Sequence, residues 1–365
     1  MAPNPYGLYT HRLAATKLAQ MDTKYKISYL FGAGASAYAL PTVRRTDKTT
    51  EYANSLRELA EKLKSNDSIN SSYIPLRDDL YKNLYWLAQK GDDYGTIDTY
   101  AKYCYDKQSQ DLSKIKETLS LYFTIKQHIE KQIDPRYKNF LIKVIEHDIF
   151  PDNIKILNWN YDFQMQLAGE LYRKEEFHYS NSVTHRIPPL ITYYPALGNE
   201  LNTNDSSSSK ELSMVHLNGI AGFYFYEQTY HILNYHLNQS LENINQLFER
   251  FQADKQFKHP LLTFAYEDFN GANFQIRNRL KFAADIINKT DILVIIGYSF
   301  PQDNIKVDKY ILDELVKSGL KKIIFQNPQD NGKFLIDEFG LCNIEIVHKD
   351  NCNEFYIPRE LKLKK

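Results

Sequence analysis

Cysteine is scarce in this chain, and net charge is absent. The 365 residues hold three cysteines, Cys104, Cys342 and Cys352, scattered and without a C-x-x-C pair. That spacing excludes a disulfide framework and a structural zinc site, and it fits a reducing cytoplasm. Lysine plus arginine total 45, as do aspartate plus glutamate, so nothing demands a nucleic-acid partner. No apolar run approaches the ~18–20 residues that a membrane span requires. The first twenty residues lack the apolar core of a signal peptide and read as a short arm, over residues 1–26. A cytoplasmic protein that binds neither membrane nor nucleic acid directly is expected. The 28 tyrosines and 20 phenylalanines suit cores and interfaces alike, so they do not discriminate between functions.

Glycine is also sparse, at 14 residues, yet two of them stand one residue apart in "ISYLFGAGASAYALP" at 27–41. The run 27–31 is rich in strand formers and reads as a buried strand. Gly32 and Gly34 then permit a tight turn and a close backbone approach. If Ala35, Ser36, Ala37 and Tyr38 open a helix, its free N–H groups and dipole make an anion site. Residues 32–37, Gly-Ala-Gly-Ala-Ser-Ala, satisfy G-x-G-x-x-G/A, the dinucleotide fingerprint. A ligand-free strand-to-helix turn has the same pattern.

Helical periodicity dominates the next hundred residues. "EYANSLRELAEKLKS" carries Tyr52, Leu56, Leu59, Ala60 and Leu63 on one stripe, and "IPLRDDLYKNLYWLAQKG" carries Leu76, Leu80, Leu84 and Leu87. Gly91 reads as the C-cap of the second. These stripes are core packing, and they predict a helical insertion over about residues 45–150. From 151 onward, short apolar runs alternate with helices. "NIKILNWNYD", "MVHLNGIAGFYFYE", "TDILVIIGYSFP", "LKKIIFQNP" and "CNIEIVHKD" read as strands. Such alternation predicts an α/β fold with a parallel, doubly wound, Rossmann-like sheet. The polar stretch 202–212 reads as a loop.

Four of these strands end in polar residues, where a parallel sheet presents its ligand edge. They are Asn158, Asn160, Tyr161 and Asp162; His216, Asn218 and Gly219; Gly297, Tyr298 and Ser299; and Asn327. Each group alone could be turn chemistry. Together with the glycine turn they describe a binding edge.

In order and form these motifs resemble the sirtuin family, in particular the bacterial sirtuin-like NAD-consuming effectors of antiphage defence. "GAGASAYALP" is similar to the family's first glycine motif, with Pro41 in place. "GTIDTYAKYC" resembles a helix that often carries an acid, here Asp98. "NWNYD" is similar to the T-x-N-Y/I-D motif, which makes Asn160 the catalytic asparagine and Asp162 the acid after it. "IIGYSFP" resembles the second nucleotide-binding turn, with Gly297 and Ser299. "IIFQNP" resembles the strand whose asparagine, Asn327, meets a ribose. The motifs span residues 27–327. The resemblance implies a sirtuin-like NAD-binding domain over 27–365. In it NAD is the substrate, with no metal, and is cleaved at the nicotinamide–ribose bond to nicotinamide and ADP-ribose. Gly32, Ala33, Gly34 and Ser36 would hold the pyrophosphate.

The chain departs from the family twice. L-H-G becomes Leu217-Asn218-Gly219, so Asn218 stands at the histidine position and His216 two residues earlier. Residues i and i+2 of a strand face one side. His216, with an ordinary pKa near 6.5, is then the general-base candidate. The four-cysteine zinc module of protein deacylases is missing, which moves the expectation from deacylation to simple NAD cleavage. A non-catalytic NAD or ADP-ribose sensor uses the same pocket. A dehydrogenase needs an acid about 20 residues past the glycines, and Glu51 stands at that distance in an apparent helix. A free NAD hydrolase would exhaust its host. Gating in trans is therefore expected, by self-assembly into an oligomer or by a partner protein encoded nearby, with the aromatic-rich insertion as the contact surface.

Overall fold

A computed structural model of the chain describes residues 25–361, apart from 44, 47–48, 178–189, 196–211, 227–230, 235–242, 254–257 and 271–278. The arm expected before residue 27 and the polar loop at 202–212 lie almost wholly outside the described residues. The centre is a seven-stranded sheet in the order β12-β11-β10-β1-β4-β6-β5. Its strands are β1 (Ile27–Phe31), β4 (Ile154–Asn158), β5 (Tyr193–Tyr194), β6 (Met214–His216), β10 (Ile292–Ile296), β11 (Lys322–Gln326) and β12 (Glu345–Lys349). Every pairing is parallel, and β1 lies between β10 and β4, with Ile27 opposite both Ile292 and Ile154.

Central strands β1, β4 and β10 are buried at every position. Such strands are covered on both faces, which is why they read as largely apolar runs, continuous in β10 and interrupted by buried Ser28 in β1 and buried Lys155 in β4, rather than as alternations with solvent. One face carries Tyr29, Phe31, Ile156 and Val294 into a core with helices α5 (Pro135–Val144) and α6 (Gln164–Phe177). The other carries Leu30, Leu157 and Ile295 against α8 (Arg279–Ile287), α9 (Ile305–Lys317) and α10 (Phe334–Phe339). The architecture is therefore α/β, doubly wound and Rossmann-like. The chain runs outward from β1 in both directions, through β4 and β6 on one side and through β10, β11 and β12 on the other. Open parallel sheets hold ligands at such a reversal, beyond the strand carboxyl ends.

A second body stands over that edge. It joins α1 (Glu51–Lys64), α2 (Ile74–Tyr94), α3 (Ile97–Asp106) and α4 (Asp111–Thr124) to α7 (Ile244–Gln252) and a three-stranded antiparallel sheet. That sheet has the order β8-β7-β9, from β8 (His231–Asn234), β7 (Gly219–Tyr226) and β9 (Lys258–Leu262). A two-residue hairpin, β2 (Arg45–Thr46) with β3 (Thr49–Thr50), leads into it. Leu56, Leu84, Leu119, Tyr224, Phe248 and Leu262 share one core. The helical tract predicted over about 45–150 is thus divided. Its first four helices belong to this body. Its last, α5, covers the parallel sheet, because Tyr137, Phe140, Leu141 and Val144 pack on β1 and β4.

Two local expectations are corrected. Gly91 does not end its helix. It lies inside α2, where a side chain would crowd Ile97, and the helix runs on to Tyr94. Gly95 ends it, at φ +85°, a conformation that glycine adopts without strain. Ala35–Tyr38 do not open an α-helix either. Residues Ala33–Ser36 form a single 3-10 turn. So short a turn aligns too few peptide dipoles to make a helix-terminus anion site.

Candidate functional site

The parallel sheet brings the carboxyl ends of β1, β4, β6, β10 and β11 to one edge. Gly32, Ala33, Gly34 and Ser36, with Asn160 and Asp162, His216 and Asn218, Gly297 and Ser299, and Asn327, therefore share that edge. Asp98 reaches it from the second body.

The two glycine turns meet each other. A side chain on Gly34 would lie 2.7 Å from the Gly297 Cα, and one on Gly297 would lie 2.4 Å from the Gly34 carbonyl carbon. Gly34 N–H donates to the Gly297 carbonyl at 2.8 Å, and Gly32 N–H to the Ile296 carbonyl at 3.0 Å. Ala35 N–H is bonded to the Gly32 carbonyl at 2.9 Å. Here, then, glycine lets two loops touch. The N–H groups of Gly32, Gly34 and Ala35, expected near a pyrophosphate, are thus taken up within the protein, while Ala33 at the start of the turn is exposed and Ser36 buried.

Asn160 is held from behind. Its amide nitrogen donates to the Gly32 carbonyl at 2.9 Å and to Ser36 Oγ at 3.3 Å. Ser36 gives its own hydrogen to Asp162 Oδ2 at 2.6 Å, and Tyr137 OH lies 2.9 Å from Ser36 Oγ. Both groups facing the amide are therefore acceptors toward it. Only an NH2 fits between them, so the Asn160 oxygen is turned the other way. Asp162 fixes that orientation. Burial pushes its carboxyl up to about 6, against the opposing pull of its Ser36 bond.

His216 lies behind this group. The strand ends at His216, and Leu217 and Asn218 form a turn, so the alternation that put both on one face does not hold. The imidazole is fully buried. Nδ1 faces the Asn158 amide nitrogen at 3.3 Å, and Nε2 faces the Gln166 amide at 2.7 Å. Burial holds its pKa down at about 4. A ring so enclosed is a neutral brace. It supports Asn158, whose Oδ1 accepts the Asn160 N–H at 3.0 Å. Asn218 donates to the Trp159 carbonyl at 3.3 Å, and its buried oxygen has no bond within the described residues.

Asp98, in the first turn of α3, accepts a 2.6 Å bond from Tyr161 OH, and burial raises its pKa. The buried hydroxyls of Tyr52 and Tyr266, both within its electrostatic reach, have no hydrogen-bond partner among the described residues. Ser299 is exposed at the edge. Asn327 caps its own turn, with Oδ1 accepting from Gln329 N–H at 2.9 Å, which leaves the NH2 as its outward donor. Glu51 accepts the Thr42 hydroxyl at 2.8 Å at the start of α1, after the β2–β3 hairpin and not at a carboxyl end of the parallel sheet, so it does not stand where a dehydrogenase holds its ribose.

Sequence reasoning missed the supports. Buried Asp134 caps α5 and pairs with Arg136 at 2.6 Å, and Arg136 holds the carbonyls of Gly34 and Ala35 at 3.1 and 2.9 Å. In the sequence only the Asp-Pro step at 134–135 marks this group, as a helix start. Asp308, inside α9, accepts from Trp159 Nε1 at 3.1 Å and from Tyr298 OH at 2.8 Å, and burial pushes its pKa up to about 8. A carboxyl raised on folding binds its proton more tightly in the folded state. Stability it contributes is full below the ordinary value of 3.8 and falls as pH rises through about 8. Asp308→Asn keeps an acceptor for both donors and removes the titration. Its urea midpoint should stay flat between pH 6 and 9 where wild type declines by roughly 1–3 kcal/mol. Parallel declines would show that Asp308 is not the titrating group.

No protein-family model matches this chain, and no curated protein matches it.

Proposed function

We propose that the chain is a sirtuin-like NAD hydrolase, cleaving the nicotinamide–ribose bond to give nicotinamide and ADP-ribose, and that it serves as an antiphage effector by depleting NAD. The observation that carries this reading is the clamped Asn160 amide. Its nitrogen is bound to the Gly32 carbonyl and to a serine whose hydrogen is committed to Asp162, so its oxygen points away from them. An oriented acceptor at a strand end suits a water or ribose hydroxyl that must be held in line.

In the reaction the C1′–nitrogen bond breaks and nicotinamide leaves with the electron pair. The ribose passes through an oxocarbenium-like state, and water oxygen adds to C1′ as its proton departs. Orientation and desolvation supply most of the rate in such a step. Asn160 orients the water or ribose. Asp162 holds Asn160 through Ser36, and His216 braces it through Asn158. Ala33 and Ser299 serve the phosphates, and the Asn327 NH2 serves the adenosine ribose. The cationic nicotinamide end goes toward Asp98, where the carboxyl and the Tyr52 and Tyr266 phenols, unbonded among the described residues, offer an acceptor and donors.

The test is incubation of the purified protein with NAD over a range of protein concentrations, following nicotinamide release beside calorimetric binding. Release is expected, rising as the protein assembles or meets its partner. Binding with no release under any of these conditions would favour the sensor reading. Full turnover by a strict monomer would remove the gating in trans.

A further inference from the structure

The loop that carries Asn160 is gripped by the second body. The Tyr161 carbonyl accepts the Ala221 N–H of β7 at 2.9 Å, and its hydroxyl reaches Asp98 of α3. The third grip comes from an irregularity. Helix α4 ends at Thr124, and the chain continues as a π-helical turn, Ile125–Ile129. Wide turns of this kind re-aim side chains and recur at functional sites. This one aims Gln127 inward, where it is almost wholly buried.

Gln127 Oε1 accepts the Phe163 N–H at 2.7 Å and the Gln164 Nε2 at 3.2 Å, while its own NH2 donates to the Phe123 carbonyl at 3.1 Å. Gln164 is fully buried as well. Its NH2 also donates to the Gln132 carbonyl at 2.8 Å, and its Oε1 accepts the Asp134 N–H at 2.6 Å. Its backbone N–H donates to Asp162 Oδ1 at 3.3 Å. A continuous hydrogen-bonded path thus runs from the second body through Gln127, Gln164, Asp162 and Ser36 to the Asn160 amide.

We infer that Gln127 is a positioning residue: the π turn at the end of α4 sets the 160–164 loop, and through it the aim of Asn160, so that the second body governs the site. This deepens the proposed hydrolase and rests on it for its kinetic half alone. Two buried amides in one clasp do more than fill space. Methionine has nearly the volume of glutamine, and a core that needed only volume would accept it. Removing the Gln127 oxygen takes from the buried Phe163 N–H the acceptor it has at 2.7 Å.

The experiment compares full-length wild type, Gln127→Met and Gln127→Glu, the last keeping an acceptor oxygen. Hydrogen exchange is read first, because it needs no activity. In Gln127→Met the peptide covering 159–166 should exchange on the order of tenfold faster or more, while peptides covering β1 and β10 stay protected. Gln127→Glu should restore most of that protection at a pH where its buried carboxyl is protonated and can donate to the Phe123 carbonyl as the amide does. Kinetics come second. In Gln127→Met kcat for nicotinamide release should fall on the order of 10–100-fold with KM for NAD changed less than about twofold, the sign of misaimed rather than missing contacts. In an Asn160→Ala background the same substitution should cost nothing more. Unchanged exchange at 159–166, or faster exchange everywhere, overturns the inference whether or not the protein hydrolyses NAD. Absence of nicotinamide release from wild type, with the exchange result intact, instead overturns the hydrolase reading and leaves the positioning role standing.

Discussion

Asn160→Ala should lower the proposed nicotinamide release by at least about 10²-fold, while the protein still folds and binds NAD. The substitution removes the one amide whose two ends do different work. Its nitrogen is spent on Gly32 and Ser36, and its oxygen is the group turned from them. Few contacts to the core are lost, because the Asn160 backbone N–H still donates to Asn158 Oδ1. Asn160→Asp is a sharper probe. Its second oxygen would face the Gly32 carbonyl, acceptor against acceptor, so it should fail nearly as badly although its shape is the same. His216→Gln provides the contrast. A buried brace replaced by another hydrogen-bonding side chain should lose less than about tenfold, whereas a general base would lose 10²-fold or more. Wild-type turnover in Asn160→Ala, measured as released nicotinamide, would end the assignment of the motif.

Gly297→Ala removes several kcal/mol of stability, enough to leave much of the protein unfolded at 37 °C. The added Cβ would sit 2.4 Å from the Gly34 carbonyl carbon and 2.5 Å from Ala35 N, all backbone atoms of the central strand's own turn. Neither loop can give without breaking the Gly34-to-Gly297 hydrogen bond of 2.8 Å. Its φ of +61° adds a strain of roughly 1–2 kcal/mol for any side chain. Gly340→Ala separates the two causes. That glycine has φ +70° and open space around it, so only the strain should be felt. Urea midpoints of the two variants measure the difference. Equal losses would mean that the touching turns contribute nothing to stability.

The frame of this fold was legible because its strands obey a simple rule. "ILVII" is buried on both faces and apolar throughout, "IKILN" is buried at every position with Lys155 and Asn158 as its polar members, and parallel pairing follows from the helices between them. The strand ends were legible for a related reason. A parallel sheet points all its carboxyl ends one way, so polar residues after each apolar run must share an edge. What was hidden is what depends on distance in sequence. Residues 219–226 read as strand, but nothing local tells them to pair with β8 and β9 in an antiparallel sheet that shares a core with helices beginning at Glu51. Gln127 stands in "TIKQHIEKQ", which reads as an ordinary polar helix end, and the π turn that buries it leaves no mark in composition. Nothing in the sequence marks Asp308, because its partners Trp159 and Tyr298 reach it only through the fold. The place of His216 was misjudged because alternation was carried past the last strand residue.

The central position of β1 has a consequence for synthesis. Its neighbour β10 lies about 265 residues further along the chain, as the Lys26–Asp291 contact beside it marks. At roughly 5–20 residues per second, β1 waits some 13–50 s for that strand to be made. Until then half its hydrogen bonds are open, and the turn at Gly32 has nothing to rest against. A nascent chain can assemble its second-body helices early, since their contacts are local. It cannot assemble the edge where NAD would be cut. Any such activity would arise only once β10 has been made, so nascent fragments that stop short of it should release no nicotinamide.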